Sequence, residues 1–526
     1  MSRKAWVRLD NASNIFLAAR SEIDPKVFRM SAELDHDVDP QLLQDALDLT
    51  YDRYRLYHAV LRRGVFWYYL QDSDLRPVVS ADDQPTCAPI YQADRRTLLF
   101  RVVHHHRRIV LEVFHALSDG TGALWFLSDL VAAYVRLRHR AQERSADEAA
   151  AAGGDSVTGE PAEGGRSPAP AQAAAVGRGV PEPAQELTTD SFAHYFRRRR
   201  RHHGSRGESP VSGTGSASSS RSDAGSGSPP GSRSAFSRAA APAALTVADM
   251  ARRAPRAAWE RGRAREPRKR IHRVRGTRTP DNRTRAVELT MPATQVLELA
   301  RAENVSLTVY LTAVFFESVR RASGGLGRAR TLAASVPVNL RQFFPSTSAR
   351  NFFATIRVEH TYGEGADDLG AICRQLEGQF AAQATPEALE EKLRGFIRFE
   401  RTPALRAVPR PLKDAILRAV NWGSNRGLTV AVSNLGRVSL PEPAESEVRR
   451  MLFHVSAVRP QFCAMSHAGL LTLSFTSPFV ETGHIREFAR LLTSAGVDVT
   501  VAAARVTEGE LSEAEQSGAD LAEAAS

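Results

Sequence analysis

A stretch of roughly a hundred residues that is too poor in apolar side chains to fold divides this sequence in two. Residues 141–245 are dominated by Ala, Gly, Ser, Pro and Arg, and they show almost no hydrophobic periodicity. A segment without apolar surface to bury cannot offset the conformational entropy that is lost on ordering. We therefore predict a disordered insertion over residues 141–245 with a folded block on either side of it, in a chain of 526 residues.

The positive charge of the chain is concentrated in and just after this insertion. The sequence has 70 Lys+Arg against 59 Asp+Glu, and residues 141–280 alone hold 24 of the basic and 14 of the acidic groups. Because the rest is nearly neutral, nucleic acid is not expected as a partner of the folded blocks. Five arginines in the insertion, Arg197 to Arg201, follow an aromatic cluster and offer a weak contact for an anionic membrane. The plainer interpretation of this run is a solvated spacer.

The sequence predicts neither a transmembrane span nor a secretory leader. Apolar windows such as residues 307–316 fall short of the ~20 residues that a spanning helix needs, and polar residues occupy the N-terminus. Three distant cysteines without CxxC spacing exclude a disulfide scaffold and a zinc ribbon. We expect a cytoplasmic protein, free or membrane-associated, that is complete without an adjoining carrier domain.

Both folded blocks have the pattern of mixed α/β domains. In residues 1–140 the periodicity predicts helices over 40–51 and from Gly122, and strands over 65–70, 98–104 and 109–114. Residues 246–270 resemble a basic helical connector, and 506–526 an acidic disordered tail. In residues 271–505 we predict helices over 292–304, 307–322, 366–383 and 484–495 and strands over 287–290, 331–337, 354–360, 428–433 and 470–475.

The chemistry-bearing residues concentrate in IVLEVFHALSDGTGALWFL, residues 109–127. A hydrophobic strand leads to His115, and a short turn with Asp119 and Gly120 precedes the helix that starts near Gly122. A histidine at a strand end can be held rigidly, and its ordinary pKa suits a proton acceptor at neutral pH. Gly120 and Gly122 are expected to adopt backbone angles that other residues avoid. Taken alone, this HxxxDG pattern fits an ordinary turn equally well.

The HxxxDG stretch resembles the motif of the CoA-dependent acyltransferase superfamily, which includes chloramphenicol acetyltransferase and the condensation domains of peptide synthetases. Five further segments along the chain agree. The early segments 9–16 (LDNASNIF) and 64–70 (GVFWYYL) are similar to bacterial alcohol acetyltransferase-like proteins, the nearest relatives by resemblance. Residues 57–62 (YHAVLR) resemble an element of condensation domains. The last are 335–341 (SVPVNLR), followed by Asn351, and 432–436 (VSNLG).

The resemblance implies an α/β fold of two chloramphenicol-acetyltransferase-like domains with an active-site tunnel at their interface. It implies that an acyl group moves from an acyl-CoA thioester to a hydroxyl or amine of a small-molecule acceptor, with His115 as general base and no acyl-enzyme. Acyl-CoA is then a co-substrate, and no cofactor is permanently bound. One alternative is a condensation-type enzyme that takes a phosphopantetheinyl thioester from an acyl carrier protein. The other is a family member that binds without catalysis.

The resemblance also assigns roles to residues outside the turn. Asp119 is expected to shape the loop by pairing with an arginine, Arg62 as the first choice and Arg341 as the second. Ser433 and Asn434, together with Asn351, are the candidates for oxyanion or tunnel contacts. Phe114 stands where condensation domains carry a first histidine, so the motif is a single-histidine variant.

Two other groups are interpreted as structural, and no metal is expected. His104, His105 and His106 cannot easily converge on one ion because neighbouring strand residues point to opposite faces, so we interpret them as part of a hairpin turn. Cys463, with His467 four residues later, lacks a polar orienting group and is interpreted as a small buried residue.

Overall fold

Three β-sheets organise the chain in the computed structural model, which describes residues 6–93, 95–152, 187, 192, 269–279, 284–401 and 408–503. Seven strands precede the insertion: β1 Trp6–Arg8, β2 Val27–Leu34, β3 Ala59–Arg63, β4 Tyr68–Asp72, β5 Ser80–Ala81, β6 Phe100–His105 and β7 Arg108–Phe114. The helices of this part are α1 Asn11–Ala19, α2 Pro40–Arg53 and α3 Gly120–Ala152. Strands β1, β4 and β3 form a small sheet in that order.

The second half of the chain contributes eight described strands and seven described helices. The strands are β8 Arg285–Pro292, β9 Thr331–Asn339, β10 Phe353–Thr361, β11 Val430–Arg437, β12 Val448–Val455, β13 Gln461–His467, β14 Leu470–Ser477 and β15 Thr500–Ala503. The helices are α4 Ala293–Ala302, α5 Leu307–Ala322, α6 Leu369–Gln383, α7 Pro386–Arg401, α8 Arg410–Arg426, α9 Ala444–Glu447 and α10 Gly483–Ser494. A seven-stranded sheet has the order β10-β9-β11-β13-β14-β8-β15.

Strand β12 comes from the second half of the sequence but pairs with the strands of the first half. The five-stranded sheet has the order β12-β2-β7-β6-β5, and β12 runs antiparallel to β2 with Leu452 opposite Ser31. The main-chain groups of β12 are therefore paired with residues more than four hundred positions earlier. The five-stranded sheet thus contains strands from both halves of the sequence.

The central strand of the five-stranded sheet is β7, and its sequence explains its place. Six consecutive residues of RIVLEVF, from Ile109 to Phe114, are buried, as a strand covered on both faces requires. The β6–β7 hairpin turns at His106, which has a φ of 47°, so the histidine run lies at a hairpin. His115 is the residue directly after this strand, so it lies at the end of the central strand of the sheet.

The predicted fold class is confirmed, while some predicted elements differ. Residues 65–70 were predicted as one strand, but Gly64 N donates to Trp67 O in the turn between β3 and β4, and the strand begins at Tyr68. Helix α3 continues through Ala152, twelve residues into the predicted insertion, because its end is rich in Ala, the best helix former. No helix in the described ranges is both long enough and apolar enough to span a bilayer.

Several predicted segments lie outside the described residues. These are most of the insertion with the Arg197 to Arg201 run, nearly all of the basic connector and the acidic tail. Beyond the end of α3, two residues of the predicted insertion are described: Leu187 is buried in the hydrophobic core, and Phe192 lies edge-on against Phe352, with 5.1 Å between ring centroids. The insertion therefore contributes side chains to the folded part.

Candidate active site

His115 lies directly after β7 and is fixed through its main chain. Its N–H donates to the carbonyl of Lys26 at 2.8 Å, which extends the pairing of β7 with β2 by one residue. Its carbonyl accepts from Asn351 Nδ2 at 2.7 Å. Because both backbone groups are bonded to other elements, the imidazole is presented from a rigid position.

Aromatic rings surround the imidazole of His115. Phe16 of α1 stacks on it with 3.8 Å between centroids, Phe28 of β2 lies edge-on at 5.0 Å, and Phe353 of β10 lies at 5.9 Å. Burial lowers the pKa of His115 to about 4, and its own carbonyl and Asp119 only partly oppose this shift. The ring is therefore neutral at physiological pH. Nδ1 is buried without a hydrogen-bond partner of standard geometry.

Asn351 connects the histidine to the N-terminal segment of the chain. Besides the carbonyl of His115, its Nδ2 donates to Ser13 Oγ at 2.9 Å, and both Asn351 and Ser13 are buried. The sequence predicts an oxyanion or tunnel contact for Asn351, and this stays a prediction. In the structure its amide nitrogen holds the main chain of His115.

Asp119 links the turn to the second half of the chain and to the helix that follows. Its Oδ1 accepts from Gly122 N at 2.9 Å in the first turn of α3, a helix-capping contact. Its Oδ2 accepts from Arg341 Nη1 and from Phe352 N, each at 2.8 Å. The Arg341 and Asp119 side chains are 7% and 6% exposed. With both oxygens occupied in this way, Asp119 acts on the loop and does not contact the imidazole by a hydrogen bond.

Arg341 is the arginine that pairs with Asp119, and the first-choice partner Arg62 is wrong. Arg62 lies on β3 in the small sheet, is exposed, and donates through Nε to Gln71 of β4 at 2.8 Å. Arg341 follows β9 and donates through Nη2 to the carbonyls of Ser348 and Arg350 as well. These carbonyls orient its guanidinium toward Asp119.

The two glycines of the turn are required for space and not for unusual backbone angles. Neither Gly120 nor Gly122 has a left-handed φ, contrary to the sequence-based expectation. A Cβ on Gly122 would lie 2.1 Å from Ala349 O and 2.5 Å from Ser118 Oγ. A Cβ on Gly120 would lie 3.0 Å from the Cδ2 of Leu435 on β11. The chain around Ala349 and β11 therefore approaches the turn closely.

Ser433 and Asn434 occupy neighbouring positions of β11 but have different environments. Asn434 Nδ2 donates to Thr308 Oγ1 at 2.9 Å, and its Oδ1 accepts from Gly436 N at 2.8 Å, so its amide stabilises the strand end. Ser433 is half-buried, and its hydroxyl has no hydrogen-bond partner among the described residues. Of the two, Ser433 is the one whose side-chain donor is not engaged by a described residue, and it lies two positions before Leu435, the residue that meets Gly120.

Several residues near His115 were not predicted as functional from the sequence. They lie in residues 9–16 and next to Asn351. Phe16 and Ser13 come from LDNASNIF, and Asp10 of the same segment caps α1 through Ser13 N at 2.7 Å. Arg350, which is fully buried, donates through Nη2 to Asp10 Oδ2 at 2.9 Å. The available signal was one charged residue in each of two distant polar segments, Asp10 and Arg350. No spacing rule pairs residues that are 340 positions apart in sequence.

The groups considered for metal or thiol chemistry lie in other surroundings. Both nitrogens of His467 lie within 3.2 Å of main-chain carbonyls, and burial raises the pKa of the Cys463 thiol, which disfavours a nucleophilic thiolate. Among the described residues, Asp35, His36 and Glu447 are close enough together to share a cation. They lie at the opposite end of β2 from Lys26 and His115, and Glu447 already pairs with His139.

Comparisons with solved structures identify the fold. No family model matches the chain, and no curated protein matches it in sequence. TRI101 of F. graminearum, solved with ethyl coenzyme A, aligns with a TM-score of 0.53 and 11% identity over 94% of this chain and 100% of that one. TRI3 trichothecene 15-O-acetyltransferase from Fusarium sporotrichioides has a TM-score of 0.51 at 9% identity, covering 94% of each chain.

A starter condensation domain of rhizomide synthetase, solved with C8-CoA and Leu-SNAC, aligns with a TM-score of 0.50 and 12% identity over 93% of this chain and 94% of that one. Similarity at such low identity extends over both halves of the protein. The chain therefore has the two-domain α/β fold of the CoA-dependent acetyltransferases and condensation domains.

Proposed function

We propose that the protein transfers an acyl group from an acyl-CoA thioester to a hydroxyl or amine of a small-molecule acceptor. The observation that carries the proposal is the state of His115: a neutral, desolvated imidazole held on a rigid strand end, for which we assign Nε2 as the base. The shared fold supports the assignment, since its members named above are acetyltransferases and a condensation domain.

In this reaction His115 Nε2 removes the proton of the acceptor as its oxygen or nitrogen attacks the thioester carbonyl. The tetrahedral intermediate then collapses, the carbon–sulfur bond breaks, and the imidazolium returns the proton to the departing thiolate. No acyl-enzyme is required, because binding both substrates together supplies the proximity. Asp119 keeps the turn in place through Arg341, and its engaged oxygens leave His115 without a carboxylate partner.

Ser433 is our candidate for the oxyanion contact. Its hydroxyl lacks a partner among the described residues, and it lies on β11 two positions before Leu435, which meets the turn at Gly120. A single preorganised donor of this kind contributes ~100- to 1,000-fold to the rate in acyl-transfer enzymes. Asn434 is not proposed for this role because both ends of its amide are bonded within the second half.

Two thioesters are candidates for the acyl donor. A free acyl-CoA is the first candidate, since three of the solved neighbours of this fold were obtained with CoA, ethyl coenzyme A or C8-CoA. An acyl group on a carrier protein is the second, because a condensation domain has the same fold. A non-catalytic binding protein is the least favoured, since it would not need a desolvated histidine at this position.

The test is a screen of the purified protein with several acyl-CoAs and an acceptor library, followed through release of free thiol. Hits are repeated with the same acyl group on a phosphopantetheinylated carrier protein, which separates the two donors. Thiol release that requires both an acceptor and His115 supports the proposal. Acceptor-dependent thiol release by His115→Ala at the wild-type rate would contradict it.

A further inference from the structure

Helix α8 presents an apolar face to solvent. It packs against α1 and the β3–β4 hairpin, yet none of its residues is buried. One stripe of exposed positions has spacings of three and four residues and consists of Pro411, Ala415, Arg418, Ala419, Trp422 and Arg426, of which four are apolar. Trp422 in this stripe is 60% exposed. An exposed Trp in an apolar stripe is unusual on a helix that faces only water.

The tip of the β3–β4 hairpin continues this apolar surface beyond the start of the helix. Val65 is 72% and Phe66 43% exposed. Arg410 N donates to Val65 O at 3.0 Å, and Lys413 Nζ donates to Phe66 O at 3.2 Å, so the hairpin tip is fastened to the first turn of α8. We call these side chains, with Trp422, the α8 surface. The hairpin end and Trp422 are roughly 18 Å apart along the helix.

The charges around the α8 surface are almost all positive. Arg418 and Arg426 are exposed on the helix, and Arg426 lies over the Trp422 ring at 4.1 Å. Arg62 is exposed on the strand that leads to the hairpin tip. The only carboxylate of α8, Asp414, accepts a hydrogen bond from Tyr68 at 2.8 Å. Exposed Trp and aliphatic groups flanked by arginines match the chemistry of an anionic lipid interface.

The α8 surface lies one helix away from the candidate base. Arg418 Nε donates to the carbonyl of Ala18 at the end of α1. The same helix α1 carries Phe16, whose ring stacks on His115. An acceptor dissolved in a membrane that contacts α8 would therefore reach the protein on the side of α1.

We propose that the α8 surface docks onto an anionic phospholipid bilayer, with Trp422, Val65 and Phe66 in the headgroup region. A protein partner fits the observations less well, since the apolar groups form two separate protrusions with cations near them and not one groove. The docking does not depend on acyl transfer. Its use in supplying a lipid-like acceptor rests on the proposed function.

The test measures binding to vesicles without any acyl donor, so its outcome is separate from that of the activity screen. The full chain is sedimented with vesicles of phosphatidylcholine and with vesicles of equal parts phosphatidylcholine and phosphatidylserine. We expect binding to the second composition only, weakened by salt. The fluorescence difference between wild type and Trp422→Phe should shift to the blue on binding, because that indole leaves water.

Variants assign the binding to the α8 surface. Trp422→Ser combined with Phe66→Ser should weaken vesicle affinity by at least ~10-fold, since two apolar side chains no longer insert. The matched control is Val78→Ser, which removes an apolar group that is 75% exposed in the loop after β4, and it should bind as wild type does. Each protein is checked for an unchanged melting temperature.

Three outcomes would overturn the proposal. The first is an absence of binding to either vesicle. The second is binding that survives the double substitution but disappears when Arg197 to Arg201 are replaced by serine, which would assign the contact to the arginine run. The third is a concentration-dependent dimer, seen by light scattering without lipid and abolished by Trp422→Ser, which would assign the surface to a second copy of the chain.

Discussion

The imidazole of His115 is held by its main chain and surrounded by aromatic rings, and the proposed chemistry depends on it. His115→Ala should lower kcat by ~100- to 10,000-fold, the usual contribution of a general base. The melting temperature should change little, because the fixed groups of this residue belong to its backbone. The control is His105→Ala, which removes an exposed imidazole at the β6–β7 hairpin and should leave turnover unchanged.

The low pKa of His115 predicts the pH dependence of the reaction. A general base is active when it is neutral, so kcat/KM should stay constant as the pH falls from 8 to about 5 and be halved near the pKa of about 4. An imidazole in water would give that loss near pH 6.5. A half-loss at pH 6 or above in the kcat/KM profile would contradict a desolvated base.

The low pKa of His115 also predicts how the free energy of unfolding depends on pH. Between pH 6.5 and about 4 the unfolded chain binds a proton at His115 and the folded chain does not. The free energy of unfolding should therefore fall as the pH is lowered through this window. His484, whose pKa burial also lowers to about 4, adds to the effect. Urea melts of wild type and His115→Ala at several pH values separate the two histidines.

The Asp119–Arg341 ion pair can be measured by a double-mutant cycle. Removing one partner of a buried pair costs ~3–5 kcal/mol, so Asp119→Asn and Arg341→Met should each destabilise the protein strongly. The double variant should lose clearly less than the sum of the two. Arg62→Met is the control, because its side chain is exposed on β3, and it should add to Asp119→Asn within ~0.5 kcal/mol.

At the scale of elements, the turn between β7 and α3 is limited by the chain that packs against it. Gly122→Ala should destabilise the protein by ~1–3 kcal/mol or more, since its Cβ would meet a main-chain oxygen at 2.1 Å and cannot be relieved by a rotamer change. Gly120→Ala meets only the flexible end of Leu435 and should cost less. Denaturant unfolding of both variants checks this order, and a reversed order would refute the steric account.

Elements whose bounds are determined by neighbouring residues in the sequence could be predicted, and features determined by tertiary contacts could not. Helix α5 was predicted with its bounds because apolar periodicity and the flanking Ser306 and glycines are local signals. The β3–β4 turn was missed since only the Gly64–Trp67 hydrogen bond reveals it. The Asp119 partner was ranked wrongly because the choice depends on where β9 ends in space. His115 was found from its motif, while Phe16 and Asn351 acquire their roles only through tertiary contacts.

At the scale of the molecule, replacing different parts of the insertion should affect stability differently. Replacing residues 194–264 by a Gly/Ser linker of about 40 residues should leave folding and thiol release intact, because these residues are poor in apolar side chains. Replacing 145–240 should lower the melting temperature, since it removes the end of α3, Leu187 and Phe192. Equal melting temperatures for the two deletions would show that these contacts contribute nothing.

The position of β12 also constrains how the protein can be synthesised. The edge of β2 is complete only when residues 448–455 have left the ribosome, more than three hundred residues after β7. At translation rates of 5–20 residues per second this delay is roughly 15–70 s. During that time the nascent first half exposes an unpaired strand edge, which is a template for pairing with another chain. Productive folding in the cell therefore depends on shielding that edge, and faster translation of the second half should raise the yield of native protein.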